Sequence, residues 1–264
     1  MTALHPVHPS QPHPRCPCYP PRVTIDFAQF TYPPYDAPLA EAWGARYESL
    51  YILLHPFICV PDALAWRATQ QYPTDSQIQA HGTKSAWTEV AAQSNLAHCA
   101  RLNQALLTSI GSLTDERDDA SARTLKQFLE SSPLWMPTEG RFEPLLHADF
   151  LAAFAAAGHS QLIHVPEFPA TDPVTRISIT DLHQQTEKFP ARGSLVAPDA
   201  SFLFTVDWDS FFTLFYGPRA FLTEIVRARR MEGFFASAST EHFWFHYAFG
   251  CSIVTISPEL WQPA

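Results

Sequence analysis

Apolar positions recur with helical spacing from about residue 37 to residue 158. Pro61-Asp62 predicts the start of a helix running through Tyr72, because proline suits a first turn. Ser94 can cap the next helix, on which Cys99, Leu102, Leu106 and Ile110 form one apolar stripe that ends at Gly111. Residues 120–131 predict a further helix. Residues 141–157 predict another, carrying Phe142, Leu145, Leu146, Leu151 and Phe154 and closed by Gly158, with Pro133 and Pro137 separating the two.

After Gly158 the period changes to two. Leu162–Val165, Arg176–Thr180 and Leu195–Ala197 read as short strands, followed by Phe202–Trp208 and Phe211–Tyr216. Gly217-Pro218 then opens a helix to about Met231, and strands are expected near Phe234–Ala236 and His242–Ile256. The predicted fold class is α+β: a helical N-terminal half followed by a mainly antiparallel sheet with one packed helix. The expected organisation is a Pro-rich flexible tail over 1–22, a mainly helical region over 23–158, and an α+β region over 159–264. No flexible linker separates the last two, so a shared core is expected.

Composition sharpens this picture. Across 264 residues, 46% are apolar and 20 are Phe, enough for a substantial core. The formal net charge is −9, which disfavours a phosphate-tracking surface, so no nucleic-acid partner is expected. Five cysteines without a CxxC pair fit a reducing compartment rather than a disulfide framework. Residues 1–22 lack the apolar core of a secretory signal, and no apolar run is long enough to span a membrane. A cytoplasmic location with no membrane partner is therefore expected. The same residues hold seven of the 24 prolines, interspersed with His5, His8, His13, Cys16 and Cys18. Such a tail reads as extended, with a soft-metal site as the alternative.

The most distinctive chemistry lies in Ser201–Tyr216, where Asp207 and Asp209 interrupt an aromatic run. If the strand runs straight, both carboxylates share one face. Together they could form an acidic patch for a partner or hold a divalent cation, although no second acidic motif completes a metal site. If Asp209-Ser210 turns a hairpin instead, the pair splits. His242 and His246 flank an aromatic run and would share a face on either a strand or a helix, with a structural role the simpler reading. His55, held extended before Pro56, reads as a buried histidine bonded to backbone. Cys99 and Cys251 read as buried thiols. GxSxG, P-loop, GxGxxG and HExxH motifs are all missing, so no cofactor and no catalytic residue is assigned.

Several blocks in the same order resemble a bacterial family of unknown function. They are Leu53–Phe57, Trp87–Val90, Ala105–Ser112, Met136–Phe142, Val206–Ser210 and Met231–Phe235, spanning roughly residues 50–245. That resemblance implies no activity. Residues 201–235 separately resemble the C-terminal part of immunity proteins from polymorphic-toxin systems. In that comparison Asp207-Trp208-Asp209 forms the strand core, followed by an aromatic strand, Gly217 and a helix. The Gly217-Pro218 step departs from the commoner Gly-Gly or Gly-Ser turn.

The leading expectation is a non-enzymatic protein-binding module, of immunity-inhibitor type, that meets a basic toxin-like partner through Asp207, Trp208, Asp209 and Tyr216. One alternative is a metal-dependent hydrolase using Asp207, Asp209 and either His242 or His246. Another is a structural or scaffold protein in which the acidic residues are incidental.

Overall fold

A computed structural model describes residues 25–35, 37–43, 46–61 and 71–247. The N-terminal tail with its histidines and cysteines, the helix expected after Pro61, and Cys251 lie outside the described residues. Among the described residues, ten strands and seven α-helices make a mixed α+β fold.

The principal sheet has seven strands, all antiparallel. Its members are β1 (Ser49–Leu54), β5 (Gln161–Val165), β6 (Thr175–Ser178), β7 (Gly193–Val196), β8 (Leu203–Val206), β9 (Phe212–Gly217) and β10 (Gly233–Phe235). They run in the order β10-β1-β9-β8-β7-β5-β6. A small sheet, ordered β3-β2-β4, joins β2 (Phe57–Cys59), β3 (Thr83–Ser85) and β4 (Leu134–Trp135).

The N-terminal half is therefore not simply helical, because β1 to β4 all fall within it. β1 sits between β9 and β10, with Tyr51 opposite Phe215 on one side and Phe235 on the other. Its helical appearance has a physical cause. Leu50, Ile52 and Leu54 pack into one core with Phe212, Leu214 and Tyr216. Tyr51 and Leu53 pack into the opposite core with Phe204 and Phe215. A strand covered on both faces has no polar alternation, and a short apolar run of that kind does not distinguish strand from helix.

Helices cover both faces of the sheet, rather than one packed helix covering one face. On the first face lie α2 (Trp87–Gln93), α3 (Cys99–Ile110) and α4 (Asp119–Glu130), contributing Trp87, Leu102, Leu106, Leu125 and Leu129. On the second lie α5 (His147–Ala156), α6 (Ile179–Gln184) and α7 (Arg219–Ala228), contributing Phe150, Phe154, Leu182, Leu222 and Val226. The remaining helix, α1 (Asp75–His81), places Ile78 beneath the small sheet with Ile58 and Val60.

Local chemistry sets the helix ends. Gly111, at φ +80°, closes α3 as its sequence position suggests. Ser94 does not cap the start of α3. It ends α2, donating its hydroxyl to Val90 O at 2.6 Å, and His98 caps α3 by accepting from Arg101 N. The segment expected to begin a strand at His242 forms a 3₁₀ turn over Trp244–Tyr247, and residues beyond 247 lie outside the description.

Candidate functional site

The hairpin joining β8 to β9 pairs Val206 with Thr213, leaving Asp207 to Phe211 to turn the chain. Ser210 N donates to Asp207 O at 3.3 Å, and Asp209 N donates to Asp207 Oδ2 at 3.3 Å. Asp207 thus caps its own turn through its side chain, a bonding pattern that favours Asp at such positions. The two carboxylates diverge: Asp207 is buried, and Asp209 stands at the turn, partly exposed.

Around Asp207 closes a cluster from distant parts of the chain. Tyr35 donates its hydroxyl to Asp207 Oδ2 at 2.5 Å, and its ring stacks on His242 with centroids 4.3 Å apart. His242 is fully buried, with Nε2 3.9 Å from Asp207 Oδ2 and Nδ1 2.9 Å from the Tyr32 hydroxyl. Burial lowers its pKa to about 4, so the ring is neutral near pH 7 and makes no ion pair with Asp207. Burial raises the Asp207 carboxyl, and the Tyr35 hydrogen bond opposes that rise. His242 is thus a buried, neutral ring packed between Tyr32 and Tyr35. The side chain of His246 lies outside the description. Among the described residues, no three His, Cys, Asp or Glu side chains gather as a metal-holding group.

A second loop, Met136–Phe142, underpins the turn. Gly140 N donates to Ser210 O at 2.9 Å, and Phe142 N donates to Ala191 O at 2.8 Å. Gly140 has φ +63°, and a Cβ there would come within 1.8 Å of Trp208 O. Only glycine fits both that backbone and that approach. The loop is held from within by Glu143, fully buried, whose carboxylate accepts from Thr138 N at 2.9 Å and Leu145 N at 3.3 Å. Burial lifts its pKa to about 7, against a hydrogen bond from the Thr138 side chain and these two backbone bonds.

His55 locks this loop to the sheet. Its Nδ1 lies 3.1 Å from Thr138 O and its Nε2 2.8 Å from Thr213 Oγ1, and its own N–H donates to Phe211 O at 2.9 Å. Burial lowers the imidazole to about 4. A carbonyl can only accept, so the neutral ring carries its proton on Nδ1 and accepts from the Thr213 hydroxyl at Nε2. His55 O accepts from Trp87 Nε1 at 2.5 Å. Glu232 completes the frame by accepting from Trp87 N at 2.6 Å and Thr88 N at 3.1 Å at the start of α2, where a carboxylate is favoured by the free N–H groups.

The surface outside this frame is acidic and aromatic. Trp208 is 54% exposed, and Tyr35 is 41% exposed. Asp209 and the exposed Glu139 repel one another enough to contribute to a raised Glu139 carboxyl, after its burial, while Arg192 opposes the rise. Glu167 lies near enough to act electrostatically on Tyr35. Tyr216 belongs elsewhere: it is 1% exposed and donates its hydroxyl to Leu39 O at 2.7 Å. Of the four residues singled out in sequence, Trp208 and Asp209 share this surface, Asp207 supports it from below, and Tyr216 is a core residue. Tyr35, Glu139 and Glu143 carry no signal in the hydrophobic pattern, and Gly140 is legible only as a glycine in a short polar run.

Cys99 is buried and its thiol is pushed up to about 12 by burial, the state of an unreactive core cysteine. Among the described residues, no helix is long and apolar enough to cross a membrane.

Comparisons with known proteins agree with the arrangement of blocks. The uncharacterised protein YwbB of Bacillus subtilis (strain 168) is 26% identical over 221 residues, covering 80% of this chain and 96% of that protein. No solved structure matches. The family model described as protein of unknown function (DUF2711) matches residues 35–246. That span includes Tyr35, His55, the Met136–Phe142 loop, the Asp207 turn and His242, and the chain belongs to the DUF2711 family.

Proposed function

We propose that this chain is a binding module that recognises a basic segment of another protein through the rim around Trp208. The observation that carries this reading is the half-exposed indole of Trp208 on a backbone fixed from three sides. Covering the remaining half of an indole is worth about 3 kcal/mol, the magnitude of an interface hot spot. The backbone below it is already ordered, so association avoids the entropy of freezing a loop.

Charge supports a basic partner. Asp209, Glu139 and Glu167 surround the aromatic rings, with Arg192 as the opposing charge, on a chain of net charge −9. A partner Lys or Arg could lie over the Trp208 face and meet a carboxylate at its edge. Asp207 acts as a positioning residue for the turn and makes no contact of its own. An inhibitor that occludes the basic cleft of a toxin would use a surface of this chemistry.

The test is a titration of the ¹⁵N-labelled protein with Lys/Arg-rich and Asp/Glu-rich peptides of equal length. The reading requires the Trp208 indole resonance to shift with the basic peptides alone, and Trp208→Ala or Asp209→Asn with Glu139→Gln to weaken binding roughly tenfold or more. Equal response to both peptide types, or shifts away from Trp208, would contradict it.

A further inference from the structure

The Met136–Phe142 loop has a second face, turned away from β8 and β9. With Tyr72 and Asp75 it walls an open cleft of about 580 Å³, within the size range of small-molecule sites. Its polar edge carries Arg141, Asp75 and Glu139, and its apolar side carries Tyr72 and Met136. Arg141 pairs with Asp75 through Nη2, and the two side chains stay 34% and 37% exposed. One polar atom in the wall, Arg141 Nε, has no hydrogen-bond partner. Buried polar groups without partners are rare enough in folded proteins to point to a missing one.

The geometry points to this cleft as a binding site for a small zwitterion with an apolar body, a free amino acid or a short peptide. The charges select that class. A simple anion drawn to Arg141 would face the carboxylates of Asp75 and Glu139, and a simple cation would face the guanidinium. A ligand with both an ammonium and a carboxylate satisfies both sides. Its carboxylate would lie against the exposed part of the Arg141 guanidinium, leaving Nη2 to Asp75. Its ammonium would meet the Glu139 carboxylate on the cleft wall. Its apolar body would lie against Tyr72 and Met136. The inference shares Glu139 with the partner-binding reading but does not rest on it, because Trp208 does not line the cleft.

The experiment uses the whole chain, labelled with ¹⁵N and titrated with leucine, phenylalanine and leucyl-phenylalanine. Each is compared with its N-acetylated and its C-amidated form. Binding that moves resonances of residues 72–75 and 136–141, and weakens roughly tenfold on blocking either charged end, supports the site. Whether the free amino acids or the dipeptide bind tighter separates the two sources. Arg141→Lys keeps the charge opposite Asp75 but lacks the planar guanidinium, so it is expected to weaken binding by a similar factor, while Trp208→Ala leaves it unchanged. Should Arg141→Lys fail to fold, the blocked ligands decide on the unaltered protein. The proposal is overturned if none of the three ligands binds at millimolar concentration, or if the N-acetylated and C-amidated forms bind as tightly as their parents.

Discussion

Gly140 lies directly against Trp208: a methyl group on its α-carbon would come within 1.8 Å of the Trp208 carbonyl oxygen. The rim and the loop below it are therefore one rigid piece. Gly140→Ala must both enter a backbone region unfavourable to L residues and push the turn outward. The expected loss is about 2 kcal/mol or more in urea unfolding, with displaced Trp208 and Ser210 amide resonances and weakened basic-peptide binding. A variant with unchanged resonances would show that the contact is dispensable.

Tyr35→Phe separates the roles of the Asp207 cluster. The Tyr35 bond lowers the Asp207 carboxyl against burial, so its loss should raise that carboxyl further, as read by ¹³C carboxyl titration. The expected loss of stability is about 1.5–3 kcal/mol, the range of a hydrogen bond to a charged group. Binding at Trp208 should weaken through a looser turn, with no change in the core around Phe204.

Stability should be greatest near pH 6.5. His55, His147 and His242 are each lowered by burial to about 4, so the unfolded chain takes up protons first as the pH falls. Their contribution is complete above the unfolded value and lost as the pH drops from about 6.5 to 4, on the order of 3 kcal/mol for each ring. Glu143 acts in the opposite sense. Its folded pKa is raised to about 7, so stability present below the usual carboxylate range is lost as the pH rises through 7. Urea midpoints measured across pH 4.5–8 should rise to a maximum and then decline. In Glu143→Gln the decline above pH 6.5 should vanish and the acid limb should steepen.

Glu232→Ala tests the joint between β10 and α2. Its carboxylate accepts from Trp87 N, Thr88 N and the Thr88 hydroxyl, while its backbone carbonyl accepts from Leu54 N at 3.0 Å. Removing the carboxylate leaves those donors without a partner, and the expected loss is about 2–3 kcal/mol by thermal or urea unfolding. Amide exchange should quicken first at Trp87 and Thr88.

The legible and illegible parts of the fold divide by the range of the interactions that set them. β7 to β10 and α7 are readable because glycines, prolines and short aromatic runs bound them locally. β1 is not, because its second buried face is supplied by α5 and Phe215, and so the segment from Leu50 to Leu54 shows no alternation. The hairpin turn at Asp209-Ser210 is a local preference and was one of the two readings open in the sequence. The inward direction of Asp207 is set by Tyr35, 172 residues earlier in the chain, and has no local signature. The same holds for Tyr216, whose aromatic run shows that it lies in a strand but not that Leu39 covers its hydroxyl. The immunity-protein likeness rested on that local aromatic pattern, whereas the family match spans residues 35–246.

Photo-crosslinking in the native cell tests the central claim most directly, with the crosslinking residue placed at position 208, at position 139, or at Lys126 on the far helix α4. The account predicts one shared basic protein captured from positions 208 and 139, absent from position 126, and lost when Asp209→Asn is added. Capture of the same products from all three positions, or none from position 208, would contradict it.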